Sequence, residues 1–377
     1  MLWTTAAALS LLIWIYLVFA RGGFWRIVIS HSGANPPARK VIAVIPARNE
    51  ADVIGQAVAS LLTQDFPSPL RVILVDDAST DSTAEAARLA AQKIGLAEHL
   101  TVLTGAPLPP GWTGKLWAVS QGAQAASERQ PDYLLFTDAD IRHHSRSVAE
   151  LVAKAEAEQL DLASYMVRLS TTNFAEKALI PAFVYFFLQL YPPNWIASTK
   201  HRTAGAAGGC LLIKPEALAR IGGHAAIRGQ IIDDCSLARA VKLSGGKIWM
   251  DLTAQTQSLR PYQGFAEIGR MISRSAFNQL RHSAWLLAGT LLALAITYVV
   301  PVAALCSGRP LAAILGTAAW LLMSISYAPM IRFYRLPLIW AFCLPLIAIF
   351  HAGATLHSAL QYWRGKGGAW KGRIQDA

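Results

Sequence analysis

Residues 71–81 read Arg71-Val-Ile-Leu-Val-Asp-Asp77-Ala-Ser-Thr-Asp81. The aliphatic run Val72–Val75 shows no alternation, which marks a strand buried on both faces. Two carboxylates close the run. Ser79 to Asp81 then offer an N-cap for a helix over Thr83–Ile94. Upstream, Val41–Pro46 is a second run of the same kind, followed by Arg48, Asn49 and Glu50 and by helical spacing over Asp52–Gln64 (Val53, Ala57, Leu61, Leu62). Downstream come a strand at Leu100–Leu103, a helix at Lys115–Ser127 and a strand at Tyr133–Phe136 that ends on Thr137–Asp140. A helix at Ser147–Gln159 and a strand at Leu162–Val167 complete the series. Alternation of this type predicts an α/β domain with a mainly parallel sheet and helices on both faces. Ligands of such sheets bind beyond the carboxyl ends of the strands, where the polar residues of this chain cluster.

The whole chain has 377 residues, of which 54% are hydrophobic and 15% charged, and its mean hydropathy is +0.35. A soluble domain carries about 25% charged residues, so a folded domain with membrane segments is expected. The net charge is +11, and its excess is C-terminal. Beyond Glu267 ten basic residues face a single acid, Asp376. The basic residues sit in short loops between apolar runs, which points to a membrane surface and not to nucleic acid. Cys210, Cys235, Cys306 and Cys343 are widely spaced, without C-x-x-C or zinc spacing, so neither a disulfide framework nor a structural zinc site is expected.

Leu2–Ala20 is apolar, lacks a preceding basic region and is followed by Arg21, Arg26, Arg39 and Lys40. That charge order predicts an uncleaved anchor with Met1 outside and the next domain cytoplasmic. Ala284–Cys306, Leu311–Ile331 and Leu336–Leu356 are further candidate spans. If the last one crosses, the basic tail Arg364–Arg373 lies outside, against the positive-inside rule. If it is re-entrant or in-plane, the tail stays inside. Leu179–Tyr191 is too short to span and reads equally as an interfacial helix or as a core helix. The expected organisation is an anchor (1–22), a catalytic domain (39–283), membrane segments (284–357) and a basic tail (358–377).

Two nucleotide sites are excluded. No G-x-G-x-x-G follows the first strand, and Gly111–Leu116 lacks the spacing and the Ser or Thr of a phosphate loop. What remains is acidic. Asp138-Ala-Asp140 can share a hard divalent cation, with phosphates and water completing the octahedron. A carboxylate at Asp76 or Asp77 can accept from a base or a ribose. Lys115 can pair with a diphosphate. The adjacent Asp233-Asp234 should repel, raising one pKa and making a general base toward an acceptor hydroxyl. Alone, Asp138-Ala-Asp140 reads as a turn, Asp81 as a helix cap, Lys115 as a solvated surface lysine and Asp233-Asp234 as the acidic start of a helix. The Gly205–Gly209 turn would allow close backbone approach to a ligand.

In this order the motifs resemble family 2 glycosyltransferases of the GT-A fold. The elements are P-A-R-N-E (Pro46–Glu50), V-D-D-x-S-x-D (Val75–Asp81), G-K-x-x-A (Gly114–Ala118), D-x-D (Asp138–Asp140) and the acidic pair with L-x-x-R (Asp233–Arg239). The resemblance covers about 40–283. Within the family, Trp112–Trp117, the D-D-C-S-L-A-R variant and the apolar C-terminal segments look most like the hopanoid-associated enzymes.

The resemblance implies that Pro46, Arg48, Glu50 and Asp77 hold the nucleobase and ribose, with Lys115 at the diphosphate. Asp138 and Asp140 would bind nucleotide and Mn2+ or Mg2+, and Asp234 would be the base of one inverting displacement. Asp233 and Arg274 would lie on the acceptor or diphosphate side. The usual Glu-Asp pair is Asp233-Asp234 here. The Q-x-x-R-W element of processive relatives is missing, and Arg270-Met-Ile-Ser-Arg274 stands in that region. The expectation is a bacterial inner-membrane, multi-pass enzyme with a cytoplasmic catalytic domain. It would move one sugar from a nucleotide sugar, UDP-linked first among them, to a lipid hydroxyl such as that of a hopanoid. The alternatives are a processive polysaccharide synthase and a non-catalytic membrane scaffold of the same fold.

Overall fold

The structure is a computed structural model and describes residues 1–27, 29 and 36–365; the basic residues Lys366, Lys371 and Arg373 of the expected tail lie outside these. The chain begins with α1 (Leu2–Phe19), β1 (Val41–Ala47), α2 (Ile54–Leu62), β2 (Arg71–Asp76), α3 (Thr83–Lys93) and β3 (Leu100–Thr104). Then follow α4 (Gly114–Ser127), β4 (Tyr133–Phe136), β5 (Ile141–Arg142), α5 (Ser147–Glu158), β6 (Leu162–Arg168), α6 (Phe174–Leu190) and α7 (Pro193–Ala197). Next are β7 (Leu211–Ile213), α8 (Pro215–Arg220), α9 (Asp233–Leu243) and β8 (Ile248–Ser258). The C-terminal part holds α10 (Phe265–Gln279), α11 (Ala284–Leu294), α12 (Val300–Ala303), α13 (Pro310–Phe333) and α14 (Leu344–Trp363). Two compact units result. Residues 29, 36–170 and 195–260 form the sheet unit, and residues 1–27, 171–194 and 261–365 form a helical unit.

The sheet has the order β3-β2-β1-β4-β7-β6-β8-β5. β3, β2, β1 and β4 are mutually parallel, as is the pair β6 and β8. β7 is antiparallel to both β4 and β6, and β5 to β8, so the sheet is mixed and mostly parallel. Val41 to Ala47 are all buried, as a central strand covered on both faces requires. Because Ala47 pairs with Asp76 and Val44 with Phe136, the chain leaves β1, β2 and β4 along one edge. Arg48, Asp77 and Asp138 follow there.

Helix α4 lies close on the sheet because it presents Gly122. A Cβ at that position would sit 2.3 Å from Val44 Cγ1 and 3.1 Å from Val75 Cγ2. The N-cap of α4 is Thr113, whose hydroxyl accepts from Leu116 N–H at 3.4 Å. This close seat fixes where the first turn of α4, with Lys115, stands.

Five helical segments are long and apolar enough to cross a membrane by length and composition: Leu2–Phe19, Phe174–Ala197, Ala284–Cys306, Pro310–Phe333 and Leu338–Trp363. They associate the chain with a bilayer. The second is longer than its apolar run, because helix α6 starts at Phe174 and not at Leu179. An Asn173–Glu176 capping box begins it, and the buried Glu176 also accepts from Tyr262 N–H at 2.7 Å. A charged residue that reads as a helix boundary in the sequence is thus part of the helix.

Within the helical unit, Pro301 has no N–H to return to the carbonyl four residues back, Thr297. The indole Nε1–H of Trp14 donates to that carbonyl at 2.8 Å, and the local turn over Ala295–Val299 is a π-helix. Trp14 is fully buried, edge-on to Tyr298 at 5.5 Å. Small residues let the helices approach: Ala7, Ala304 and Ala312 form one cluster, and a Cβ on Gly316 would lie 2.5 Å from Pro301 O.

Candidate active site

Asp138 leaves β4 two residues after Phe136, and Lys115 stands in the first turn of α4. Their side chains meet: Lys115 Nζ is 2.8 Å from Asp138 Oδ1 and 3.6 Å from Asp233 Oδ2. The acidic pair opens α9, where the helix dipole favours negative charge. Asp234 is oriented by two backbone donors, Gly208 N–H to Oδ2 at 3.0 Å and Cys235 N–H to Oδ1 at 2.7 Å. Gly208 comes from the Gly205–Gly209 turn. A Cβ there would lie 3.3 Å from Lys115 Nζ and 3.6 Å from Asp234 Oδ2, so the glycine lets the backbone come in among the charged groups.

These residues line one pocket of about 380 Å³, open to solvent. Lys115, Thr137, Asp138, Asp233 and Asp234 supply its polar lining, beside Pro46 and Gly208. Leu116, Val119, Phe136, Leu211, His224, Ile227 and Leu237 line the rest.

The charges shift one another. Burial works to lower the Lys115 pKa, but Asp138, Asp233 and Asp234 outweigh it and hold the ammonium well above its ordinary value. Burial and the charge of Asp233 push Asp234 up to about 6, against the pull of Lys115 and the two N–H donors. Burial, reinforced by Asp138, also raises Asp140, although Asp140 Oδ2 accepts from Ser258 Oγ at 2.8 Å. His224 is buried and edge-on to Phe136 at 5.0 Å. Burial lowers its pKa to about 4, and its Nε2 has no hydrogen-bond partner among the described residues.

The strand ends of β1 and β2 form a second group. Arg48 donates to Asp77 O at 2.6 Å and its guanidinium is 3.9 Å from Asp77 Oδ2. Asn49 takes a positive φ of 53°, from which its Oδ1 accepts Thr80 N–H at 2.8 Å. Glu50 is buried and ion-paired with Arg260, which is also 3.5 Å from Asp52. The structure thus gathers Pro46, Lys115, Asp138, Asp233 and Asp234 at one pocket and places Arg48, Glu50 and Asp77 at the neighbouring strand ends. Arg274 lies on α10 of the helical unit. Arg260, Ser258 and His224 were not singled out from the sequence. Ser258 ends β8, a strand whose mixed pattern hid its end, Arg260 follows it, and His224 stands in a short 3-10 turn with no motif around it.

The donor set suits a hard cation. Two carboxylates, Asp138 and Asp140, stand two residues apart, and burial together with their mutual repulsion raises Asp140, which a cation between them would relieve. Among the described residues no three His, Cys, Asp or Glu side chains form a complete cage. Such a cation would therefore keep positions for water and substrate phosphate, as Mg2+ and Mn2+ do in nucleotide sites.

Residues 42–222 match the family model described as glycosyl transferase family 2. The fold is GT-A, and this part of the chain is a family 2 glycosyltransferase domain. No curated protein is significantly similar to the chain in sequence. Among solved structures, it is similar to the mannosyltransferase PcManGT from Pyrobaculum calidifontis in complex with GDP-Man and Mn2+. The TM-score is 0.55 and the sequence identity 21%, covering 92% of this chain and 99% of that one. A weaker likeness is to S. aureus TarS 1-349 in complex with UDP, with TM-score 0.42, 14% identity and coverage of 86% and 92%. Another is to M. tuberculosis glucosyl-3-phosphoglycerate synthase with Mn2+, UDP-Glc and phosphoglyceric acid, with TM-score 0.43, 17% identity and coverage of 68% and 86%.

Proposed function

We propose that the chain is a membrane-bound, inverting glycosyltransferase that moves one sugar from a nucleotide sugar to a lipid hydroxyl. One observation carries this reading: Lys115 bridges Asp138 and Asp233 in a single pocket that also holds Asp234. On this reading Arg48, Glu50 and Asp77, with Pro46, hold the base and ribose of the donor; their grouping at the ends of β1 and β2 supports it. Lys115, at the start of α4, pairs with the diphosphate, and the helix N-terminus adds its own partial charge. A Mn2+ or Mg2+ ion held by Asp138 and Asp140 would neutralise charge on the departing diphosphate.

Asp234 is the base. Its raised pKa keeps it basic near neutrality, and the N–H groups of Gly208 and Cys235 fix its direction. It takes the proton of the acceptor hydroxyl while that oxygen bonds to the anomeric carbon. The bond from that carbon to the diphosphate oxygen breaks on the opposite side, and the nucleoside diphosphate leaves. One displacement inverts the anomeric configuration. Asp233 keeps Lys115 in place between the donor and acceptor sides, and His224 Nε2 offers one neutral hydrogen-bonding atom to a hydroxyl in the pocket.

A lipid acceptor follows from the apolar helical segments joined to the catalytic unit, and a hopanoid is the acceptor proposed first, on the Trp112–Trp117 and Asp233–Arg239 motifs. PcManGT, of the same fold, is described with a nucleotide sugar and Mn2+, a ligand pair of the kind proposed here. Release of nucleoside diphosphate from UDP- and GDP-sugars, with and without Mn2+, tests the reaction. Asp234→Asn should abolish transfer while donor binding persists, and full turnover in that variant would remove Asp234 as base.

A further inference from the structure

Five segments are apolar enough to cross a bilayer, yet the packing of the helical unit allows only three of them to do so. We infer that Leu338–Trp363 is a re-entrant segment, that Phe174–Ala197 does not cross, and that the chain thereby gathers an arginine collar against one anionic leaflet. The inference holds whatever reaction the sheet unit performs.

The crossing helices define the two ends. Ala7, Ala304 and Ala312 meet in one cluster. Deeper in, Trp14 bonds the Thr297 carbonyl at 2.8 Å. Helices α1 and α13 therefore run in the same direction, and the Ala284–Cys306 segment runs against them. Arg309 stands at the end where α13 begins. Arg21 and Arg26, Arg281, and Arg332 and Arg335 stand at the other.

Leu338–Trp363 starts at that second end. Leu336 N–H still bonds Ile331 O at 3.0 Å, in the last turn of α13. The 3-10 stretch Leu338–Cys343 then climbs only to the middle of α13, where the Trp320 indole donates to Phe342 O at 3.2 Å. From there α14 comes back. His351 packs against Phe186 at 4.8 Å, Ala359 joins Leu287 and Phe277 in one cluster, and Tyr362 stacks on His282 at 4.0 Å. Leu287 and His282 mark the start of the Ala284–Cys306 segment. Both ends of Leu338–Trp363 thus share a level with Arg281 and Arg335, and Arg364 joins them.

Phe174–Ala197 is excluded as a crossing by connectivity. It leaves β6 and leads to β7, and these strands are paired, Leu162 with Ile213 and Ser164 with Leu211. A single crossing would place hydrogen-bonded strands on opposite sides of a bilayer. Three crossings remain. Among the described residues they collect Arg21, Arg26, Arg281, Arg332, Arg335 and Arg364 at one surface and leave Arg309 at the other, the distribution that the positive-inside rule assigns to a cytoplasmic leaflet. The matching partner is a surface of anionic phospholipid headgroups. Trp285 and Trp363, 88% and 54% exposed, lie at the same level, where indoles sit among headgroups.

The test labels the chain in spheroplasts of a bacterial host with a membrane-impermeant maleimide. Cys306, exposed beside Arg309, should react in intact spheroplasts. Arg364→Cys, in a chain with Cys306→Ser and Cys343→Ser, should react only after permeabilisation. Labelling of both positions from the same side would overturn the re-entrant assignment, and the reverse pattern would overturn the placement of the collar. Fusions to the C-terminus of the unsubstituted chain give a second readout. A fluorescent cytoplasmic reporter is expected, and an active periplasmic phosphatase would refute the inference.

Discussion

Gly122→Ala should damage the site without touching it. The new methyl would lie 2.3 Å from Val44 Cγ1, about 1.2 Å inside a comfortable ~3.5 Å carbon contact. Val44 is fully buried in the central strand and cannot retreat. Helix α4 must therefore lift by about 1 Å, at a cost of about 1–3 kcal/mol for over-packing. Lys115 rides on the first turn of that helix, and its 2.8 Å contact with Asp138 would lengthen by a similar amount. A misplacement of ~1 Å in a positioned group can cost up to about a hundredfold in rate. The expected result is a 10- to 100-fold fall in kcat/KM for the nucleotide sugar, with the chain still folded by circular dichroism. Val44→Ala in the same chain removes the clashing methyl and should return most of the lost activity, at its own stability cost of about 1–2 kcal/mol. Unchanged activity of Gly122→Ala, or no recovery in the double variant, would refute the chain of reasoning from helix seat to lysine position.

Three further outcomes follow from the structure. With Asp234 raised to about 6 by burial and by Asp233, the deprotonated base is lost as pH falls, so kcat/KM should drop below about pH 6 and plateau above it. Asp233→Asn should move that limb toward lower pH, and a flat profile between pH 5 and 8 would contradict the assignment. Trp14→Phe deletes the shorter of the two side-chain hydrogen bonds to the Thr297 carbonyl left by Pro301, the other coming from Ser10 Oγ at 3.5 Å, and should destabilise the detergent-solubilised protein by about 1 kcal/mol; an unchanged apparent melting temperature would show that Ser10 suffices. His224→Phe removes the unpartnered Nε2 while keeping an aromatic ring against Phe136, and should raise the KM for one substrate with little change in stability, read by steady-state kinetics beside thermal unfolding.

The part of the fold that the sequence reveals is the part with uniform burial. Val41–Pro46, Val72–Val75 and Tyr133–Phe136 are aliphatic or aromatic throughout because both sheet faces are covered, and the helices between them keep a clear period. β7 has only three residues, too few for any period, and its antiparallel insertion between β4 and β6 cannot be read from composition. β8 is long but mixes Asp251, Gln255 and Gln257 into its pattern, so the strand, its last residue Ser258 and the Arg260 beyond it carry no clear signal. The site divides in the same way. Acidic residues at strand ends stand out against apolar runs. The partners that orient them come from segments distant in sequence: the glycine turn holding Gly208 reads as a place of close backbone approach but not as the donor to Asp234, and Ser258, which donates to Asp140, carries no local signal. Helix α6 shows the opposite case. Glu176 reads as an interruption, and only the tertiary contact with Tyr262 N–H explains how a carboxylate is tolerated at a buried helix start.

The balance of charge at the pocket bears on how a donor can enter it. Asp138, Asp233 and Asp234 bring three carboxylates to one pocket, and Asp140 stands close enough to Asp138 to feel its charge. Lys115 is engaged with Asp138 and Asp233, and Arg260 is held by Glu50 and Asp52. A nucleoside diphosphate adds further negative charge beside Asp140 and Asp234, carboxylates that burial, and then repulsion from a neighbouring carboxylate, already raise. Like charges in a partly buried site cost several kcal/mol, about 4 for a pair ~4 Å apart at an effective dielectric of ~20. On the proposed reading, the diphosphate therefore gains a foothold only with compensating positive charge, and Lys115 alone cannot supply it without abandoning the aspartates it now holds. Asp138 and Asp140 are the residues that would hold a divalent cation, and that cation would supply the missing positive charge; Lys115 would then be available to the phosphates, and Asp234 would keep its role as base. On that reading the charge balance of the pocket gives these aspartates different roles, Asp138 with Asp140 toward a cation, Asp233 toward Lys115 and Asp234 toward the acceptor.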